Sequence, residues 1–397
     1  MTYKILSLDG GGAWALIQVK TLQQLYGADI NGHAVLSKFD MAVANSGGSI
    51  VLGGLLEDRP LSNVLSYFMD ENSRRSIFQP TSDFLDDVLS KLLHFGPKYS
   101  TTKKLPALQR LLPASGGKLM TQVAAGIPGA GSGKPVHILI AGFDYDRNIA
   151  AFFRSAHTGG DGVEWGAGSA SSDTTLAQAI HASSNAPVNF FDQPASWDGG
   201  HSRFWDGAIA GCNNPVMAGV AEAATLDVAM TDIRALCIGT ATVRAPGPPA
   251  DNPGPFISKR SAQSFAGDLA KIAGAINDDP PDVASFLAHV MTGGGKGLPA
   301  GAVSRVVRMN PMVSPVSDGH GGWKGPGPWT QEQLSHLAGI DLTALDQVDI
   351  GYIADYADTW LAGIAPNQPL RMDADSLAPK LGPTTFPAAL AAWNAVI

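Results

Sequence analysis

Two stretches of this chain, YKILSLDGGG (residues 3–12) and FDMAVANSGGSI (residues 39–50), share one plan: an apolar strand-like run, a cluster of very small residues, then a helical pattern. That repetition constrains the fold more than any other feature. A strand that feeds a helix pairs naturally with a parallel neighbour, so strand–turn–helix units in series imply an α/β sheet. After the first turn, Leu16, Val19, Leu22, Gln23 and Leu25 recur at helical spacing, and after the second a helix is expected over about residues 47–57. Further apolar strands are predicted at 136–143 (VHILIAGF) and 235–239 (ALCIG). Between them, 176–191 (LAQAIHASSNAPVNFF) reads as a helix ending near Pro187, and 201–216 (HSRFWDGAIAGCNNPV) as a strand, a turn and a new helix. Residues 61–112 are helical in character, with Phe84, Leu85, Val88, Leu89, Leu92 and Leu93 at helical spacing. The Gly/Pro-rich stretches 245–255 and 319–328 read as loops rather than domain boundaries, because apolar patterning resumes after each.

Charge narrows the partners. With 27 Lys+Arg against 35 Asp+Glu, the formal charge of -8 opposes non-specific attraction to nucleic acid or to anionic lipid surfaces. Contact with lipid would have to rest on apolar groups. The two cysteines, Cys212 and Cys237, supply no disulfide framework. No secretory leader pattern and no spanning run of about 20 apolar residues is seen, so a cytoplasmic or membrane-peripheral location is expected.

The small-residue turns have chemical readings. Asp9-Gly10-Gly11-Gly12 sets several backbone N–H groups at a helix start, where negative charge is stabilised, suiting an oxyanion or a phosphate. The same residues fit the dinucleotide pattern through Gly10, Gly12 and Ala15, with Asp29 or Asp40 as a ribose ligand, which keeps an NAD(P)-dependent oxidoreductase open. Against it, Asp9 would set a carboxylate beside a pyrophosphate and Trp14 would crowd the first turn. A third reading is a glycine turn with no ligand. In the second turn, Ala44-Asn45-Ser46-Gly47-Gly48 approximates the elbow that presents a serine at a sharp strand-to-helix bend, where small neighbours let the two backbones approach. Parallel strands would bring both turns to one carboxyl edge of the sheet.

A nucleophilic serine needs a base. His181 and His201 are available, but neither sits in a suitable turn; Asp206, which ends the aromatic run FWD before Gly207 and Ala208, is the better candidate. It could equally cap the following helix. Asp9 is a less suitable base, its expected task being to shape its own turn through side-chain to backbone hydrogen bonds. The stretch GIPGAGSGKP (residues 126–135) fails as a phosphate loop, since Pro128 and Pro135 occupy required Gly and Ser/Thr positions.

Taken together, DGGG, the serine turn, and DGA followed by Asn213-Asn214-Pro215 resemble the patatin-like phospholipase family, with added similarity in 179–191, 235–242, VVRMNP and LDQVD. The resemblance implies a single domain over 1–397, with a motif-bearing core of about 3–243 and a C-terminal extension of 244–397. It implies a three-layer α/β/α fold with a mostly parallel central sheet and added helices. It implies a lipid acyl hydrolase that needs no cofactor or catalytic metal and acts on a lipid or fatty-acyl ester, with peripheral membrane contact and no nucleic acid. Carried over by position, Ser46 matches the nucleophile, Asp206 the base, Gly10, Gly11 and Gly12 the oxyanion-hole turn, Ala44, Asn45, Gly47 and Gly48 the elbow, and Gly207 and Ala208 the DGA motif. Two positions depart. Ala44 replaces a glycine, and Trp14-Ala15 stand where the family usually has Arg or Lys followed by Gly, which leaves neutral lipids and simple esters open. Tyr67, Phe68, Phe78 and Phe84 could line a lid or acyl channel or simply pack in the core. A non-catalytic lipid-binding module is the remaining alternative.

Overall fold

A computed structural model describes residues 2–79, 98–131, 133–155, 173–187, 190–200, 202–246, 280–295, 303–373 and 375–397. The strands are β1 Tyr3–Leu8, β2 Met41–Ala44, β3 His137–Asp144, β4 Ile149–Arg154, β5 Ala195–Ser196, β6 Arg203–Asp206, β7 Ile233–Ile238, β8 Thr242–Val243 and β9 Val306–Met309, followed by short pairs further on. The helices are α1 Leu16–Tyr26, α2 Gly32–Leu36, α3 Gly47–Leu56, α4 Leu61–Met69, α5 Glu71–Ile77, α6 Thr101–Leu111, α7 Leu176–Ser183, α8 Val216–Thr225, α9 Pro280–His289, α10 Gln331–Gly339, α11 Gln347–Leu361 and α12 Phe386–Val396.

Strand order in the central sheet is β5-β6-β3-β2-β1-β7-β9, with β4 also paired to β3. From β3 to β9 every pairing on this path is parallel; β4, β5 and β6 add antiparallel pairings at the other side. The sheet is therefore mostly parallel, as the strand–turn–helix repeats predict. Its antiparallel margin is built from β4, β5 and β6, of which only β6 lies in a segment predicted as a strand.

Alternation along the strands sorts side chains onto two faces. Leu6, Leu8, Ala42, Ala44, Ile138, Ile140, Leu236 and Ile238 join one core with residues of α1, α3, α4, α7 and α11, whereas Ile5, Met41, Val43, Leu139, Ala141, Ala235 and Cys237 join a second with α8 and α9. Both faces are covered, which is why these strands are apolar at nearly every position. The result is a three-layer α/β/α arrangement. Under the second face, Glu222 of α8 accepts hydrogen bonds from Arg154 Nε at 3.0 Å and pairs with His137 Nε2 at 2.9 Å, tying β3 and β4 to that helix.

The sheet does not end with the motif-bearing core. Strand β9 lies in the extension and completes the sheet beside β7. From it Arg308 reaches Asp9, with Nη1 to Oδ2 at 2.5 Å and both side chains buried. Asp9 is thus held by an ion pair across the sheet edge, rather than by the side-chain to backbone bonds expected of it. Burial pushes the Asp9 carboxyl upward, and the guanidinium pulls against that shift. Tyr67 and Phe68 are core residues; Phe84 and the helical stripe around it lie outside the described residues, as does most of the 245–255 loop.

Removing one partner of such a pair leaves a buried charge uncompensated. Arg308→Met is expected to lose up to about 3–5 kcal/mol in urea unfolding at alkaline pH. The Asp9 carboxyl is already pushed up to about 7 beside Arg308 and would rise further without it, so the deficit should be smallest below about pH 7 and grow as pH rises above it. A deficit independent of pH would contradict the pairing.

Candidate active site

The register of β1 on β2 places Leu8 opposite Ala44, so the chain leaves both strands at the same height and the two turns stand side by side at the carboxyl edge. Their contact is backbone to backbone. A Cβ on Gly48 would lie 2.5 Å from the Leu8 carbonyl oxygen and 2.6 Å from that of Asp9, and one on Gly47 would lie 2.6 Å from the Gly12 oxygen. Side chains at 47 and 48 would force the turns apart. Ala44 is the last residue of β2 and packs in the core, so its methyl is accommodated.

Ser46 immediately precedes α3 with φ 50° and ψ −122°. A non-glycine residue held there is strained by on the order of 1–3 kcal/mol. The strain is opposed by local bonds: Ser46 N–H donates to Ser183 Oγ at 2.9 Å, and Ser49 Oγ donates to the Ser46 carbonyl at 2.6 Å. The Ser46 side chain makes no cap hydrogen bond to α3 and lines the same pocket as Asp206.

Asp206 arrives by a different route. It ends β6, which runs antiparallel to β3 with Asp206 opposite Gly142. Its Oδ1 accepts from Asn45 Nδ2 at 3.0 Å and from the Ala208 N–H at 2.9 Å, and its own N–H donates to the Asn185 carbonyl at 3.1 Å. The capping expected of this aspartate and its approach to Ser46 therefore coexist. Gly207 has no room for a side chain: Asn45 Oδ1 and the Ala141 backbone crowd its Cβ position. Burial raises the Asp206 carboxyl above the usual carboxylate range, opposed by the nearby Ser46 side chain, by the bonds from Ala208 and Asn45 and by the charge of Lys104. Burial and the Asp206 charge also push the nearby Cys212 thiol up to about 11.

The glycine turn is not uniform. The Gly10 N–H donates to the Asn213 carbonyl at 2.8 Å, and its own carbonyl accepts from Thr240 Oγ1 at 2.5 Å. The Gly10 backbone is thereby committed to structure. Gly12 sits at φ 56°, and its Cβ position is occupied by the Leu342 carbonyl.

These groups line one pocket of about 530 Å³, within the usual range for small-molecule sites. Ser46, Asp206 and Gly10 to Gly12 meet apolar walls from Trp14, Phe78, Phe190 and Phe191 on one part and Leu337, Ile340 and Leu342 on another. Trp14, at the family's usual cationic position, is thus a pocket wall. The only charged side chain among the described lining residues is Asp206. The residues of 337–343, from α10 onward, are a contribution that sequence reading missed; no motif marks them.

The other candidates fall away from this pocket. His181 is buried on α7, and burial depresses its imidazole to about 3; it is not a lining residue, and His201 lies outside the described residues. Asp40 accepts the N–H of Lys4 at 2.9 Å and of Gly131 at 2.8 Å at the start of β2, the opposite sheet edge from the glycine turn. It cannot serve a ribose bound at Gly10–Gly12. Among the described residues, no group of three or more His, Cys, Asp or Glu could hold a metal ion, and no helix is long and apolar enough to cross a membrane.

Comparison with known proteins adds a family. A family model described as patatin-like phospholipase matches residues 6–220. No curated protein matches the chain. Among solved structures, VipD from Legionella pneumophila aligns at 10% identity and TM-score 0.32 over 90% of this chain and 67% of its own. The type III effector protein ExoU aligns at 13% identity and TM-score 0.28, over 90% of this chain and 53% of its own.

The tight turn contact is testable without any assay of activity. Gly48→Ala should cost about 1–3 kcal/mol by overpacking against the Leu8 and Asp9 carbonyls. Gly117→Ala, whose Cβ would meet nothing within 4 Å, should stay within about 0.5 kcal/mol of the parent. Equal urea midpoints for the two variants would refute the crowding.

Proposed function

Because the chain belongs to the patatin-like phospholipase family, we propose that it is a lipid acyl hydrolase in which Ser46 is the nucleophile and Asp206 the general base, acting through an acyl-enzyme. The observation that carries this reading is that Ser46, the buried Asp206 carboxyl and the Gly10 to Gly12 turn line one largely apolar pocket. The Ser46 Oγ attacks the ester carbonyl carbon while its proton passes to Asp206. The carbonyl oxygen becomes an oxyanion and takes hydrogen bonds from the Gly11 and Gly12 amides, a kind of interaction worth about 2.7–4 kcal/mol per donor in the transition state. Collapse breaks the bond to the alcohol, which leaves with the Asp206 proton. Water then attacks the acyl carbon, giving its proton to Asp206, and the fatty acid departs as Oγ is reprotonated.

A carboxylate at its ordinary value of about 3.9 is a weak base for a hydroxyl. Burial of Asp206 raises its basicity, and the two hydrogen bonds from Asn45 and Ala208 that oppose this keep it oriented. The acyl chain lies against Phe78, Phe190, Phe191 and the 337–342 wall. Any lipid surface would be met through apolar groups, in keeping with the net charge of -8. Neutral lipids and simple esters suit a pocket whose described lining carries no cation.

With a chromogenic fatty-acyl ester, Ser46→Ala should lower kcat by at least about 10³-fold, and Asp206→Asn by about 10² to 10⁴-fold. Asp206 works as the anion, so kcat/KM should fall as pH drops through a value above the ordinary carboxylate range of about 3.9. Full turnover by Ser46→Ala would end the proposal. A folded parent chain without esterase activity would favour the lipid-binding module instead.

A further inference from the structure

Behind the pocket wall lies a lysine that the proposed chemistry does not use. Lys104, on α6, is completely buried. Its Nζ donates to the Ser184 carbonyl and sits 4.0 Å from the centre of the Phe191 ring and 6.0 Å from that of Phe78. An ammonium has three protons to donate, and lysine is rarely buried unless paired. For stability alone a methionine of similar shape would avoid the cost of desolvating the charge. The surroundings indicate what the charge faces. Residue 184 is followed by Asn185, whose carbonyl accepts the Asp206 N–H at 3.1 Å, and Lys104 and Asp206 are within electrostatic reach of each other.

We propose that Lys104 is a positioning residue for Asp206: its ammonium fixes the 184–185 backbone from which Asp206 is held and places a positive charge behind the carboxylate. The inference rests on the Ser46–Asp206 reading. The Asn185 side chain is tied to the start of α6 as well, since its Nδ2 donates to the Gln193 carbonyl at 2.8 Å and Thr101 Oγ1 donates to that same carbonyl at 2.7 Å. Phe191 and Phe78, which receive the ammonium on their ring faces, are also pocket walls, so one cation braces both the base and the acyl channel.

The other titratable groups near this pair do not supply the charge. His181, on α7, is held neutral by burial and by Lys104 itself, and Cys212 beyond Asp206 is a protonated thiol. Asp192 accepts the Thr101 N–H at 2.9 Å, and Tyr99 turns its hydroxyl to Thr343 Oγ1 at 3.0 Å. Burial depresses the Lys104 ammonium to about 7, so it is cationic below that pH. The sign follows: removing the cation raises the Asp206 value, and the acid limb of activity moves to higher pH.

The test is the pH profile of kcat/KM for a chromogenic fatty-acyl ester with the full chain, Lys104→Met, Lys104→Gln and Lys104→Arg. Thermal melting identifies variants that remain folded, and Lys104→Gln carries the comparison if Lys104→Met does not fold. The neutral variants should move the acid limb upward by at least about 0.5 pH unit, and Lys104→Arg should return it to the parent position. An unshifted limb, with activity lowered by one factor at every pH, would overturn the proposal, as would a limb in Lys104→Arg displaced as far as in Lys104→Met. Ser46→Ala, run in parallel, separates the two claims: if it stays active the dyad reading fails, whereas a Ser46-dependent enzyme with an unshifted limb sinks the Lys104 inference alone.

Discussion

The site depends on a close approach between two backbones. Parallel register sets Leu8 against Ala44, and the absence of side chains at Gly47 and Gly48 lets the start of α3 press onto the carbonyls of Leu8, Asp9 and Gly12. From that contact follow the strained Ser46 conformation, the position of the Gly11 and Gly12 amides, and the shared pocket. The remaining interactions hold the contact from outside: Ser183 on the Ser46 amide, Asn213 and Thr240 on Gly10, and Arg308 on Asp9.

Much of this was legible in the sequence because it is local. A strand, a glycine cluster and a helix within a dozen residues leave a periodic signature, and both turns fall where that signature puts them. Asp206 was legible as a residue but not as a neighbour. It reaches the parallel sheet through the antiparallel pairing of β6 with β3, and neither short β5 nor β4 carries a pattern strong enough to announce that margin. The helix at 176–191 was placed correctly but ends at Ser183, since Ser184 leaves the helical conformation and the chain turns to hold Asp206.

What was not legible is long-range. Arg308 meets Asp9 across about three hundred positions, and the 337–343 wall meets Gly12 and Ala13 at a similar remove. Such contacts answer to packing rather than to spacing. Lys104 is hidden for the same reason: on the chain it is one of two adjacent lysines, and only the fold separates it from Lys103 by burying it. The extension therefore supplies more than bulk, giving the sheet an edge strand, the motif aspartate its counter-ion, and the pocket a wall.

Buried charge and apolar surface are in balance at this site. Asp206 is made more basic by burial, and the same largely apolar pocket is suited to an acyl chain; its orientation is kept by Asn45 and Ala208. The most direct measurement is peptide mapping by mass spectrometry after treatment with a fluorophosphonate, which bonds covalently to an activated serine hydroxyl. A single adduct on the peptide carrying Ser46, formed much more slowly in Asp206→Asn, is the predicted result. An adduct on a different residue, or equal labelling rates with and without the Asp206 carboxylate, would contradict the account.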